Sequence, residues 1–298
     1  MESVNVSFLC AKEWTEPKMT RILVPLQGFP GEVNGIQFAF NLAEKSKAKV
    51  SLLHCRERIR RSKLKDVDRL LEYSKTLAES LNVEYDEEKV KRVRASDAIL
   101  KSSTQEACDL IVMSVAHTLG HKHLLGSTAR RVARKSTIPV IIVASWLEDF
   151  SKDYNTDLNK ILLPIRSTSK DQVALRLAAA LKNSSAGKNA ELIALNLTHY
   201  PAVKNSAPLG SPEIKVQREV FMDDISIFSE QTGLTLTPKH LAGQNIDEET
   251  IEFAEKEQVD LIVLGAHRKP GRIGGFLGSF SEKIASKSKK AVIITFIP

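Results

Sequence analysis

The chain repeats itself. Ile22-Leu23-Val24-Pro25 returns as Ile161-Leu162-Leu163-Pro164. Asp109-Leu110-Ile111-Val112-Met113 returns as Asp260-Leu261-Ile262-Val263-Leu264. Leu125-Gly126-Ser127 and Pro139-Val140-Ile141-Ile142-Val143 return as Leu277-Gly278-Ser279 and Ala291-Val292-Ile293-Ile294-Thr295. Four matches in one order mean that a unit of about 125–140 residues is used twice. The later matches are set further apart than the first, so the second copy carries an insertion. Residues 198–212, with Pro201, Pro208, Gly210 and Pro212, are its expected place.

The length, 298 residues, suits two domains. The expected division is a lead at 1–18, a first domain at 19–146, a linker at 147–158 and a second domain at 159–298. The linker is read from Glu148, Asp149, Lys152, Asp153, Asn155 and Asp157, a polar stretch with little to bury.

Each copy alternates strands and helices. In the first, strands are expected at 21–26, 50–54, 90–93, 110–114 and 140–144. Helices are expected at 36–43, 64–81, 96–107 and 127–135. The second repeats this with strands at 161–165, 192–195, 234–241, 261–265 and 292–296, and helices at 173–181, 213–232, 246–256 and 279–287. Short, wholly apolar strands between amphipathic helices imply a parallel sheet covered on both faces. Right-handed crossovers then give a doubly wound α/β fold, with ligands at the carboxyl ends of the strands near the switch point.

Composition removes several classes. Hydrophobic residues make up 42%, too many for a disordered chain. No uncharged apolar run reaches about 18 residues, the length that spans a membrane. The N-terminus lacks a basic segment followed by an apolar one, so no signal peptide is expected and the cytoplasm is the default. The cysteines, Cys10, Cys55 and Cys108, are odd in number and widely spaced, which fits a reducing compartment rather than a disulfide framework or thiolate zinc site. Cys55 and Cys108 lie beside apolar strands and read as core.

Net charge is +7, from 43 Lys and Arg against 36 Asp and Glu. Residues 1–150 hold 24 of the basic and 19 of the acidic residues, so most of the surplus lies in the first copy. That balance permits an anionic ligand without demanding one. Arg56, Arg58, Arg60, Arg61, Lys63 and Lys65 form a basic run that reads as a solvated loop or a partner surface. No aromatics interleave with it, so no nucleic acid is expected. His117, His121 and His123 cluster on one loop, but no carboxylate or thiol beside them completes a zinc set. No nucleophile elbow and no Walker lysine is present.

The candidate site follows the fourth strand of each copy. In the second copy, 265–279 is rich in glycine, and Arg268, Lys269 and Arg272 add positive charge. Glycines between a strand and a helix let backbone N–H groups face a phosphate. Gly278-Ser279 would start the helix, with the Ser279 hydroxyl as ligand or cap. The first copy keeps Gly126-Ser127, with Ser127 readable simply as a cap. Ser114 and His117 replace its earlier glycines.

This repeat, strand order and loop resemble the universal stress protein family in its tandem two-domain form. The family's nucleotide loop is Gly, two residues, Gly, nine residues, then Gly with Ser or Thr. Gly265, Gly278 and Ser279 match at that spacing, with Arg268 at the middle glycine. The family's nucleotide binders usually place an acidic residue just after the first strand. Gln27 and Arg166 stand there instead. The resemblance implies two doubly wound, Rossmann-like domains of the adenine nucleotide alpha hydrolase-like kind. It implies a non-catalytic regulator that binds ATP or another adenine nucleotide, with magnesium, chiefly in the second copy. The alternative it implies is a nucleotide-blind interaction module, such as the cytoplasmic regulatory domain of an amino-acid permease or cation–chloride cotransporter. A weak ATPase is the third reading. A late strand often pairs across a dimer interface in this family. That implies pairing of 139–143 with 292–296 inside the chain, with homodimers on top.

Overall fold

A computed structural model describes residues 19–29, 31–56, 61–91, 93–117, 126–146, 158–183, 189–199, 212–267 and 279–297. The expected lead, the expected linker apart from Leu158, and residues 200–211 of the expected insertion lie outside them. In the first copy the order is β1 (Arg21–Leu26), α1 (Glu32–Ser46), β2 (Lys49–Arg56), α2 (Arg61–Leu81), β3 (Tyr85–Lys91), α3 (Ala95–Gln105), β4 (Leu110–His117), α4 (Ser127–Lys135) and β5 (Val140–Trp146). The second copy has β6 (Lys160–Pro164), α5 (Gln172–Asn183), β7 (Glu191–His199), α6 (Pro212–Thr232), β8 (Thr237–Gly243), α7 (Ile246–Lys256), β9 (Leu261–His267), α8 (Ser279–Lys287) and β10 (Ala291–Ile297).

The strands form one ten-stranded sheet in the order β3-β2-β1-β4-β5-β10-β9-β6-β7-β8. Within each copy every pairing is parallel. Each copy is doubly wound: from β1 the chain steps outward to β2 and β3, then returns to the other side for β4 and β5. The switch points therefore fall between β1 and β4, and between β6 and β9.

The third strand of each copy is displaced from its expected place, and most of the others run two to five residues longer than expected. The third strand is 85–91 rather than 90–93. Its sequence, Tyr-Asp-Glu-Glu-Lys-Val-Lys, hides the strand because it is an edge, where charge protects an open ladder from further pairing. In the second copy the equivalent strand begins at Thr237 rather than Leu234. Leu234 and Leu236 are buried in the core, but as the approach to the strand.

The helices divide between the two faces. Residues of α1, α2, α5 and α6 join one apolar cluster, and residues of α3, α4, α7 and α8 join the other. Each cluster runs through both copies, because β5 and β10 pair antiparallel. Ile141 pairs with Ile293, its own counterpart in the repeat. A pseudo-twofold axis thus passes between them.

The same axis relates Arg130 on α4 to Glu282 on α8. These two equivalent positions meet in an ion pair, Nη2 to Oε1, at 2.7 Å. A self-pairing of either copy would set like charges together here. The pair is partly exposed, so its coupling is expected to be about 0.5–1 kcal/mol. Arg130→Glu should lower stability, Glu282→Arg likewise, and the double reversal should recover most of the loss. Urea denaturation of the four proteins measures this, and strictly additive losses would show the pair to be uncoupled.

Candidate functional site

At the switch point of the first copy, β1 ends at Leu26 and the chain turns through Gln27, Gly28 and Phe29. Gly28 has φ of 83°, a left-handed conformation that glycine adopts at little cost. The turn aims three N–H groups at one carboxylate. Gln27 donates to Glu32 Oε1 at 2.6 Å, Gly28 to Oε2 at 2.8 Å, and Phe29 to Oε2 at 3.2 Å. Glu32 is 2% exposed and opens α1, so the helix N-terminus also favours its charge.

The second copy repeats the device with a shorter side chain. Asp171 stands to β6 as Glu32 stands to β1, at the same distance along the chain. It is 4% exposed and accepts from the Arg166 N–H at 2.8 Å. The Arg166 Nε stands 3.8 Å from the same oxygen. The next donors turn to α6, where Thr168 gives both its N–H and its hydroxyl to Asp224, each at 2.7 Å.

Both first-strand loops therefore direct backbone donors inward to their own carboxylates. Sequence reading sought an acidic residue at Gln27 and Arg166 and missed these two, five positions further on. Their matching place in the repeat was the available signal. An acid in the first turn of a helix looks like ordinary end-capping, which hid it.

The other wall of each switch point is the end of β4 or β9. Ser114 and Gly265 are equivalent there, and the helices packed against them present Gly35 and Ala174, also equivalent in the repeat. A Cβ placed on Gly35 would collide with the Ser114 Oγ. The two copies therefore place their small residues differently at these equivalent positions. The first puts serine on the strand and glycine on the helix; the second puts glycine on the strand and alanine on the helix. Ser114, in place of the motif's first glycine, thus sets its hydroxyl where the Gly35 backbone leaves room for it.

Gly126, not Ser127, occupies the cap of α4, with ψ of 151°. Ser127 is the first helical residue and is exposed, as is Ser279 at the start of α8. Cap assignment to Ser127 is thereby corrected: the glycine holds the non-helical conformation a cap requires. Gly126 has open space where a Cβ would stand. Arg268 and Gly278 lie outside the described residues, as do His121 and His123. His117 ends β4. Among the described residues no group of three His, Cys, Asp or Glu could hold a metal ion.

Ionisable groups away from this site, most of them at the amino ends of the strands, have shifted values. Burial pushes the Cys108 thiol up to about 11, so it stays protonated at neutral pH and is a poor nucleophile. Burial raises the Asp86 carboxyl, but Lys49, Ser51 and Arg21 outweigh it and the net direction is downward. Arg21 binds Asp86 at 3.0 Å and Glu106 at 2.9 Å beside a cavity of 220 Å³ under α3. Burial, helped by Arg218, lowers the His240 ring below its ordinary value.

The universal stress protein family model matches residues 18–144 and again 158–295. The chain is a member of the universal stress protein family. A universal stress protein from Archaeoglobus fulgidus DSM 4304 superposes with a TM-score of 0.66 at 17% identity, covering 94% of this chain and 99% of that one. A protein of unknown function from Pseudomonas aeruginosa PAO1 gives 0.62 at 16% identity, covering 93% and 92%. The cytoplasmic domain of a prokaryotic cation chloride cotransporter gives 0.52 at 15% identity, covering 92% and 94%. At these identities the likeness is one of fold. It extends over both copies, so this universal stress protein shares its tandem arrangement with those chains. No helix among its described residues is long and apolar enough to cross a membrane.

Proposed function

We propose that the chain is a non-catalytic regulator of the universal stress protein type, binding ATP or another adenine nucleotide in its second copy. One observation carries this choice of copy. At the β4 wall Ser114 brings a hydroxymethyl group to the strand end, against Gly35, while the equivalent residue at the β9 wall, Gly265, carries no side chain. Gly265, Arg268, Gly278 and Ser279 are then the binding loop, and magnesium would accompany the phosphates. With the Arg166 and Thr168 N–H groups of the β6 loop turned to Asp171 and Asp224, the phosphate falls to the β9 loop and the start of α8. An exposed serine at a helix N-terminus suits that task. Gly126 and Ser127 are the weaker site of the first copy.

Isothermal titration with ATP and AMP tests the proposal. One site per chain is expected. Gly278→Val should abolish the heat while leaving the circular dichroism unchanged. No heat and no thermal stabilisation at millimolar nucleotide would reject it.

A second reading follows from the inward-turned donors themselves. With Glu32 and Asp171 occupying the anion-facing N–H groups, the chain would be a nucleotide-blind interaction module. The fold likeness to a cotransporter's cytoplasmic domain suits that role. A silent titration, with the chain binding a transporter's membrane region, is its expected result.

A further inference from the structure

α6 is apolar on two opposite faces. Phe221, Ile225 and Phe228 are buried against the sheet. On the outer side Val216, Val220 and Ile227 are 55%, 62% and 49% exposed. At about 100° per residue these three fall within about 40° of one another, so they form one stripe. Glu219, Asp223 and Glu230 border it on one side and Glu213 on the other, all exposed. The nearest cations of the helix, Lys215 and Arg218, lie further round.

The repeat supplies an internal control. α2 has the same length and place in the first copy, and the two helices align from their first residues, Arg61 and Pro212. The α2 positions equivalent to the stripe are Lys65, Arg69 and Thr76. Its positions equivalent to the acidic border are Asp68, Glu72 and Glu79. The acids are thus common to both helices. In α2 the sequence sets a lysine and an arginine in the stripe, opposite in sign to the acids and at three- and four-residue spacing from them. In α6 that charge is replaced by apolar side chains. The fold does not require the stripe, since α2 occupies its place without one.

We propose that the outer face of α6 is a docking surface for a basic amphipathic helix of another protein, with apolar residues at helical spacing flanked by Lys or Arg. The apolar stripe provides area to remove from water. The acidic border selects the sign of the partner. A second copy of α6 would bring acid against acid, and an anionic membrane would be repelled by the same border. The surface lies on a different helix from the nucleotide loop and stands whether or not nucleotide binds.

The test uses the full chain and two labelled helical peptides of equal length with one leucine pattern, the first flanked by lysine and the second by glutamate. Fluorescence anisotropy should show binding of the lysine peptide and little of the glutamate peptide. Val220→Asp with Ile227→Asp should weaken the lysine peptide about tenfold or more. Glu219→Lys with Asp223→Lys and Glu230→Lys should transfer preference to the glutamate peptide. All five positions are exposed, so these variants should fold, and circular dichroism checks that they do. Failure of the lysine peptide to bind, or equal binding to all variants, would overturn the proposal. So would a wild-type dimer that the Asp variants dissociate, or retention on anionic vesicles that they abolish.

Discussion

Glu32→Ala should cost the protein about 3 kcal/mol. The carboxylate takes N–H groups from Gln27, Gly28 and Phe29, and Gly28 is buried. A hydrogen bond to a charged group contributes about 1.5–3 kcal/mol, and a buried donor left without one loses about 1–3 kcal/mol. Water can reach the two partly exposed donors, which keeps the total below the sum of three. Glu32→Gln should fall between, because its amide keeps one acceptor and sets an NH₂ against the remaining donors. Asp171→Ala should cost less than Glu32→Ala, since one backbone N–H and the exposed Arg166 guanidinium lose their partner. Urea denaturation measures all three. A loss under about 1 kcal/mol for Glu32→Ala would mean that water substitutes freely for the carboxylate.

Ile141→Asp is expected to be more damaging, on the order of 5 kcal/mol. Ile141 is fully buried and pairs with Ile293 at the centre of the only antiparallel junction among the described strands. The substitution removes a packed isoleucine, whose truncation alone costs about 2–5 kcal/mol, and adds a carboxylate with no partner. Ile293→Asp should match it, because the pseudo-twofold gives both residues one environment. Ile141→Val should cost only about 1 kcal/mol. The wild-type protein should unfold in one transition, since both apolar clusters span the two copies. A loss below about 2 kcal/mol for Ile141→Asp, with the sheet intact, would show that the junction is open to water.

The fold was largely legible because the unit is repeated and its strands are apolar. The ends of α4, α7 and α8 agree with the expected 127–135, 246–256 and 279–287. β3 was less legible because edge strands are charged, and hydrophobic pattern is the signal sequence reading uses. The site was less legible than the fold. Glu32 and Asp171 act through a turn, and their partners are backbone groups that carry no sequence signal. The exchange of Gly35 and Ser114 for Ala174 and Gly265 needs knowledge of which helix crosses which strand. The outward stripe of α6 was hidden for a related reason: with apolar residues on two faces, periodicity does not say which face is inside.

The assignment of nucleotide to the second copy is tested most directly by a crystal structure grown with ATP and magnesium. Nucleotide density is expected at the carboxyl ends of β6 and β9, with the phosphates beside Gly265 and Ser279, and none between β1 and β4. Density beside Ser114 and Gly126 alone, or in neither copy at saturating nucleotide, would contradict it.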